Sequence, residues 1–247
     1  MELDDSLAET HASLGYILFY GDWNRTAAEK HFRRAVELNP SYSTAHHWFA
    51  LALAAMGKAD ESIEQINLAM QLEPKSAVIH SAAGLVYYYA RRYEEALQMC
   101  RKSLEIDSGF IPAHKTMRII YEASGNYEQA NEAYSKERSF AGNTDENEPG
   151  WSMVTAQVES VGGKNVEAAK NLQTALSSAF VRENPRGYAF EIAVAYAIAG
   201  EKENALRWIE TAKTAKDHGF NFVKVDPRLD NLRQESGFQK LAENAFQ

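Results

Sequence analysis

Cysteine is nearly missing. The chain of 247 residues holds one, Cys100, so an internal disulfide is excluded and no CxxC pair offers metal-ligand spacing. Glycine (14) and proline (6) are also scarce; together they make about 8 % of the chain against a usual level near 12 %, too few for the tight turns of an all-β fold. Positive charge is in deficit as well. Against 34 Asp and Glu stand 26 Lys and Arg, a net charge of −8, and such a field repels phosphate backbones, which argues against nucleic-acid binding by this region alone. Long apolar runs are lacking too. Phe49 to Met56 and Ile192 to Ala199 fall far short of the roughly 20 residues that span a bilayer, so no membrane partner is expected. The start Met1-Glu2-Leu3-Asp4-Asp5 has neither the basic nor the apolar region of a secretory signal, which predicts a cytoplasmic location.

What is present is an ordinary soluble composition, 45 % hydrophobic and 24 % charged, and a period. The six prolines stand at 40, 74, 112, 149, 185 and 227, at intervals of 34, 38, 37, 36 and 42. Proline is tolerated just outside a helix or in its first turn, so this interval punctuates helical units. Between Pro40 and Pro74 the apolar positions Trp48, Phe49, Leu51, Leu53 and then Ile63, Ile66, Leu68, Leu72 recur at three- and four-residue steps around Gly57-Lys58-Ala59-Asp60. The pattern reads as helix, short turn, helix.

Two helices of a hairpin approach closely only over small side chains, which gives a test of the repeat. Aligned early in the first helix of each unit are Gly15, Ala50, Gly84, Arg118, Ala156 and Ala193. Early in the second helix stand Ala28, Ser62, Ala96, Ala130, Ala168 and Ala205, and seven residues later Ala35, Ala69, Ser103, Glu137, Ala175 and Ala212. The first unit carries one extra residue between the first two columns. Between the last two columns every unit has a large residue, Phe32, Ile66, Cys100, Tyr134, Leu172 and Ile209, which predicts core. A further column, Leu18, Leu53, Tyr87, Tyr121, Glu159 and Tyr196, is large apart from Glu159.

These columns resemble the tetratricopeptide repeat, a helix-turn-helix unit of 34 residues. The resemblance implies an all-α, right-handed α-solenoid with a C-terminal helical cap. Its expected divisions are units one to four over 1–144, with the remnant of a preceding repeat at 1–7; units five and six over 145–219, after an acidic linker; and capping helices over 220–247. Phe19-Tyr20-Gly21-Asp22-Trp23, Ala45-His46-His47-Trp48, Tyr88-Tyr89-Ala90-Arg91-Arg92-Tyr93 and Val225-Asp226-Pro227-Arg228-Leu229 are similar to a narrower group, the C-terminal repeat region of large bacterial signalling proteins. There the repeats follow a winged-helix DNA-binding domain, a kinase or a nucleotide cyclase. Asp226 before Pro227 has the chemistry of a helix start, and Ser236 with Gln239 has the spacing of a capping box.

Unit four departs from the pattern twice. Arg118 and Glu137 stand where other units have small residues, and Gly142 to Gly150, Gly- and Pro-flanked and acidic, follows. Large charges at close-approach positions must pair or push the helices apart, and a kink or hinge is expected near 138–150.

Catalytic chemistry needs convergent reactive groups, and the sequence offers none, so a non-enzymatic protein with no cofactor and no metal is expected. His46 and His47 are adjacent on a helix and point about 100° apart, the wrong spacing for a metal pair. His80 and His114 align with His46 and His11 at one repeat position, which makes them packing histidines. Cys100 sits in the core column. Gly162-Gly163-Lys164 has the wrong glycine spacing for a phosphate loop.

A helical-pair array offers instead a concave face lined by the first helices of successive units. The resemblance places its groove at Tyr16, Phe19 and Tyr20; His47 and Leu51; Ser81, Leu85, Tyr88 and Tyr89; Lys115, Ile119 and Glu122. Members of the family that clamp a partner's terminal carboxylate use Lys, Asn and Arg where Ala12, Tyr16, Val78 and Ala82 stand here, so no carboxylate clamp is expected. Aromatic anchors in a depression suit binding of a protein or an amphipathic peptide. The alternative from another class is a regulatory domain that senses a small apolar molecule in the same groove. For the assembly state, a monomer or weak dimer is expected.

Overall fold

A computed structural model describes residues 7–142 and 149–243. Among these the chain is helical and no strand occurs. It forms two compact units, one up to Thr116 and one from Met117.

In the first unit, helices α1 (Ala8–Ile17), α2 (Arg25–Leu38), α3 (Ser43–Ala55), α4 (Ala59–Leu72), α5 (Ala77–Tyr89) and α6 (Tyr93–Ile106) pack as consecutive antiparallel pairs. The small and large columns meet in the packing. A Cβ added at Gly15 would lie 2.9 Å from the Phe32 ring, and one at Gly84 would lie 2.6 Å from Cys100 Sγ. Each glycine thus opens the space that the large residue of its own pair fills. Where the small residue is serine, its hydroxyl crosses the pair: Ser62 Oγ donates to the Ala50 carbonyl at 2.7 Å, and Ser103 Oγ donates to that of Ala77 at 2.7 Å. A buried hydroxyl with such a partner avoids the cost of leaving it unpaired, about 1–3 kcal/mol.

The column read as Leu18, Leu53, Tyr87, Tyr121, Glu159 and Tyr196 has a second role in the backbone. Their carbonyls accept from the N–H groups of Asn24, Lys58, Arg92, Asn126, Lys164 and Glu201, each at 2.9 Å. This bond closes the first helix of each pair, and it requires a left-handed residue just before the donor. Gly57, Gly125, Gly163 and Gly200 fill that place, while Trp23 (φ 61°) and Arg91 (φ 63°) fill it without glycine. The extra residue of the first pair is absorbed by a π-helical turn, Leu18–Asp22, at the end of α1. Insertion of one residue into a helix produces such a turn.

The aligned histidines fasten the connections between pairs. The carbonyls of Pro40, Pro74 and Ser108 accept from Nε2 of His46, His80 and His114, each at 3.0 Å and each six residues back in the chain. The packing role expected of these histidines therefore has a definite bond.

In the second unit, α9 (Pro149–Val161) packs on α10 (Asn165–Ser177), and α12 (Ala189–Ile198) packs on both α9 and α13 (Lys202–Thr214). Preceding them are α7 (Ile111–Ala123, shared with the first unit) and α8 (Tyr127–Ala141); a short α11 (Ala179–Glu183) and a 3₁₀ turn, Pro185–Gly187, lead into α12. Met153, Ala156, Leu172, Ala175, Val181, Ile192 and Ala195 form one core cluster. Glu159, the exception in its column, accepts from Asn171 Nδ2 at 2.7 Å.

The expected cap consists of two 3₁₀ segments, His218–Phe222 and Pro227–Leu232, and α14 (Ser236–Glu243). Asp226 starts the second of these as its sequence suggested, its carboxylate accepting from Arg228 N at 3.0 Å. Ser236 is the first residue of α14, and Gln239 Nε2 donates to the Arg233 carbonyl at 3.1 Å instead of closing a capping box. The expected repeat remnant lies outside the described residues except Leu7, and so does most of the linker, residues 143–148. Helix α8 continues through Ala141 and ends at Gly142 in left-handed conformation, φ 67°.

Candidate partner-binding face

In the first unit α1 packs beside α3 and α3 beside α5, so the first helices of successive pairs line one face. Tyr16 stands out on it, 42 % exposed despite its size. Its ring centroid is 4.7 Å from that of Tyr20 and 4.9 Å from that of Trp48, tilted in both cases by nearly half a right angle. Phe19 meets Tyr20 edge-on at 4.8 Å. The π-helical turn carries Phe19 and Tyr20 past the end of α1, where Tyr20 meets Tyr16. Burial, and then the neighbouring Tyr16, raise the Tyr20 hydroxyl above the ordinary phenolic range. The next residue of α1, Ile17, is 56 % exposed and adds an apolar edge.

The other expected groove residues divide by depth. His47, Leu51, Leu85 and Tyr89 are half-buried and Lys115 is exposed. Phe19, Ser81 and Tyr88 are buried, and so are Ile119 and Glu122, which belong to the second unit. These five are corrections to the expected groove: a side chain without accessible surface has nothing to present to a partner. Tyr88 is closed over by Tyr89 and Tyr93, with ring centroids at 5.0 and 6.0 Å. Trp48 was assigned to the helix-packing pattern and missed as a site residue; its place one turn from Leu51 and next to His47 was the available signal. Burial holds the His47 imidazole down to about 4, against the opposing pull of the Glu73 carboxylate, so this side chain is neutral near pH 7.

Glu122 leads to a different site. Arg118, fully buried in α7, donates from Nε to Glu137 Oε2 at 2.9 Å and from Nη1 to Gln157 Oε1 at 3.1 Å, and it pairs with Glu122 one turn along its own helix. Arg118 and Glu137 therefore pair, the first of the two outcomes open to large charges at close-approach positions. Burial would lower the Arg118 guanidinium, but Glu122 and Glu137 reverse this and hold it charged. From the C-terminal 3₁₀ segment Arg228 reaches the same cluster. Its Nη1 donates to Glu122 Oε2 at 3.3 Å and to Glu191 Oε2 at 3.2 Å, while Nη2 donates to Asp226 Oδ2 at 2.9 Å. Gln157 Nε2 joins the two halves by donating to Glu191 Oε2 and to its carbonyl, both at 2.9 Å. Burial pushes the Glu122 carboxyl up, against the pull of Arg118 and Arg228.

No group of three or more metal-ligating side chains occurs among the described residues. Nor is any described helix long and apolar enough to cross a membrane. The Cys100 thiol is pushed up to about 12 by burial, which keeps it protonated and unreactive at ordinary pH.

Residues 78–110, which run from the second residue of α5 to just past α6, match the family model of the tetratricopeptide repeat. The fold is that of tetratricopeptide-repeat proteins. Its structure is similar to that of PilF of Pseudomonas aeruginosa (TM-score 0.58, 17 % identity, 96 % of each chain covered). A tetratricopeptide-repeat protein of Thermus thermophilus is also similar (TM-score 0.61, 20 % identity, 78 % of this chain and 99 % of that one). So is PilW, described as a type IV pilus biogenesis factor (TM-score 0.61, 16 % identity, 76 % of this chain and 82 % of that one). No curated protein sequence matches the chain. At these identities the likeness is one of fold. In tetratricopeptide-repeat terms, the exposed aromatic cluster lies on the first helices of the first two pairs, and Arg118 and Glu137 replace small residues of the repeat.

Proposed function

We propose that this chain is a non-enzymatic protein-interaction module that docks an amphipathic segment of a partner protein on the face carrying Tyr16, Tyr20 and Trp48. The exposed ring of Tyr16, held between two further rings on a rigid helical scaffold, carries this reading. Large aromatic side chains fixed in place lose little conformational entropy on binding and recur as interface anchors. His47, Leu51, Leu85 and Tyr89 continue the surface along α3 and α5, and Lys115 supplies a cationic margin. A regulatory place within a larger bacterial signalling protein fits the sequence resemblance and belongs to the same proposal.

The test is selection of peptides from an amphipathic library on the parent protein, followed by titration of the selected peptide against Tyr16→Ala. Circular dichroism confirms that the variant is folded. Loss of a hot-spot residue, about 2 kcal/mol or more, weakens binding roughly 30-fold. Equal affinity of parent and variant would remove the aromatic face from the binding site. Tyr88→Ala is unsuitable for this purpose because that ring is buried and its loss opens a cavity.

A further inference from the structure

Three carboxyl groups of the second unit surround one guanidinium. Arg228 meets Glu122, Glu191 and Asp226 through Nη1, Nη2 and Nε, the last at 3.2 Å from Asp226 Oδ1. The side chains of Arg228, Glu122 and Asp226 are 3 % exposed or less, whereas Glu191 keeps 27 % of its surface open. The pocket is therefore walled on the Glu122 side and reaches solvent past Glu191. Gln157 holds the Glu191 carboxylate in place by donating to the oxygen that Arg228 also uses. Two arginines, 118 and 228, face four carboxyl groups, those of Glu122, Glu137, Glu191 and Asp226. Removal of either cation leaves the cluster short of positive charge. The distribution of acceptors matters as much as the sum. They are set around a flat, multidirectional donor, which suits guanidinium and not the compact ammonium of lysine.

The occupant comes from 106 residues beyond Glu122 in the chain, on the short 3₁₀ segment Pro227–Leu232. Around Arg228, Leu229 and Leu232 are buried, and the segment packs on α12. Glu122, which the repeat pattern assigns to the partner groove, lies beneath this arginine.

We propose that Glu122, Gln157 and Glu191 form an arginine-recognition socket, filled in this state by the chain's own Arg228, which ties the segment Pro227–Leu232 onto α12 and covers Glu122. The ligand class is an alkylguanidinium. Arg228 acts as an internal ligand, and a guanidinium from outside takes the place it vacates. This inference is independent of the aromatic face, since it involves other residues and another unit.

The experiment is chemical rescue of Arg228→Ala in the full chain. Thermal unfolding and trypsin cleavage after Lys224 and Arg233 are followed in methylguanidinium chloride, methylammonium chloride and sodium chloride at equal ionic strength. A ligand of five heavy atoms reaches at best micromolar affinity, so the titration runs from micromolar concentrations up to about 50 mM. The expected result is a lowered Tm and faster cleavage in sodium chloride, with at least half of each change reversed by methylguanidinium, no reversal by methylammonium, and no effect of any of the salts on the parent. Equal behaviour of the variant in all three salts overturns the proposal, as does equal stabilisation of parent and variant by methylguanidinium. Should Arg228→Ala fold only in methylguanidinium, that alone supports the socket. Should it fold in none of the salts, Arg228→Lys is read by hydrogen exchange. Protection lost by about tenfold or more over 227–232 and retained in α5 and α6 supports a guanidinium-specific tie, and unchanged protection over 227–232 overturns it.

Discussion

The helix pairs of the first unit and the α7–α8 pair that opens the second solve one packing problem in opposite ways. In the first, the close approach of paired helices is made by removing side chains: Gly15 makes room for Phe32, and Gly84 for Cys100. In the second, at the corresponding positions of α7 and α8, Arg118 and Glu137 fill the gap with charge and bind each other across it at 2.9 Å. The apolar solution needs only shape and is repeated from pair to pair. The ionic solution must satisfy every donor and acceptor, and it draws in Glu122 from the same helix and Gln157, Glu191, Asp226 and Arg228 from three further stretches of chain. A column of small residues can thus be broken without breaking the fold, provided that the substitutes find one another. Buried ion pairs contribute little net stability over apolar packing, so the charged pair matches the small residues of the other pairs without a large gain in free energy.

The largest expected effect comes from removing one charge of the cluster. Arg118→Ala restores the small residue of the other repeats but takes the ion-pair partner from Glu137 in a buried site and leaves Glu122 with Arg228, and loss of one partner of a buried pair costs about 3–5 kcal/mol. Denaturant unfolding measures it. The double variant Arg118→Ala, Glu137→Ala returns both columns to the common pattern, and it should be less destabilised than the sum of the two singles by about 1 kcal/mol or more. Additive costs, or an Arg118→Ala penalty below about 1 kcal/mol, would show that the two units do not differ in the way described.

The converse change in the first unit is Gly84→Ala. The new Cβ has Cys100 Sγ at 2.6 Å and Thr116 Cγ2 at 3.3 Å, with the Ala96 carbonyl oxygen at 3.4 Å. Overpacking of this kind costs about 1–3 kcal/mol. Adding Cys100→Ala removes the blocking sulfur, so Gly84→Ala should cost less in that background than in the parent. If the penalty is the same in both, the glycine is not there to admit the large residue of its pair.

How much of this was legible in the sequence depends on whether a feature repeats. Small and large columns, helix pairs and the histidine position recur every 34 residues or so, and recurrence exposes them without an alignment. The extra residue before Ala28 was visible as a count, but its form, the π-helical turn that carries Phe19 and Tyr20, follows from backbone hydrogen bonding that no count reveals. Arg118 and Glu137 were visible as exceptions, and the two possible outcomes could be stated. Their further partners were not legible, because Arg228 and Glu122 meet only through the tertiary fold. Depth was the other blind point. Tyr16, Tyr88 and Tyr89 are alike in sequence terms, and only the tertiary packing decides that Tyr88, with Tyr89 and Tyr93 against it, is closed while Tyr16 is open.

The smallest expected effect separates the units by pH. His47 in the first unit is held from 6.5 down to about 4 by burial. Between those values the unfolded chain takes the proton more readily than the folded one. The stability that neutral His47 contributes is therefore complete above pH 6.5 and is lost as pH falls toward 4. Asp217 in the second unit is pushed by burial from 3.8 up to about 6, partly opposed by the N–H groups of Phe190 and Gly219. Here the folded state takes the proton first, so the penalty is complete above pH 6 and is relieved as pH falls from 6 toward 3.8. Acidification from pH 7 to pH 5 should weaken the first unit and strengthen the second, each by on the order of 1 kcal/mol. Hydrogen exchange at the two pH values, read separately over α3 and α12, measures the opposition. His47→Gln should flatten the first response and leave the second intact, and Asp217→Asn should do the reverse. A common response of both units, unchanged in either variant, would mean that these two groups do not set the pH dependence.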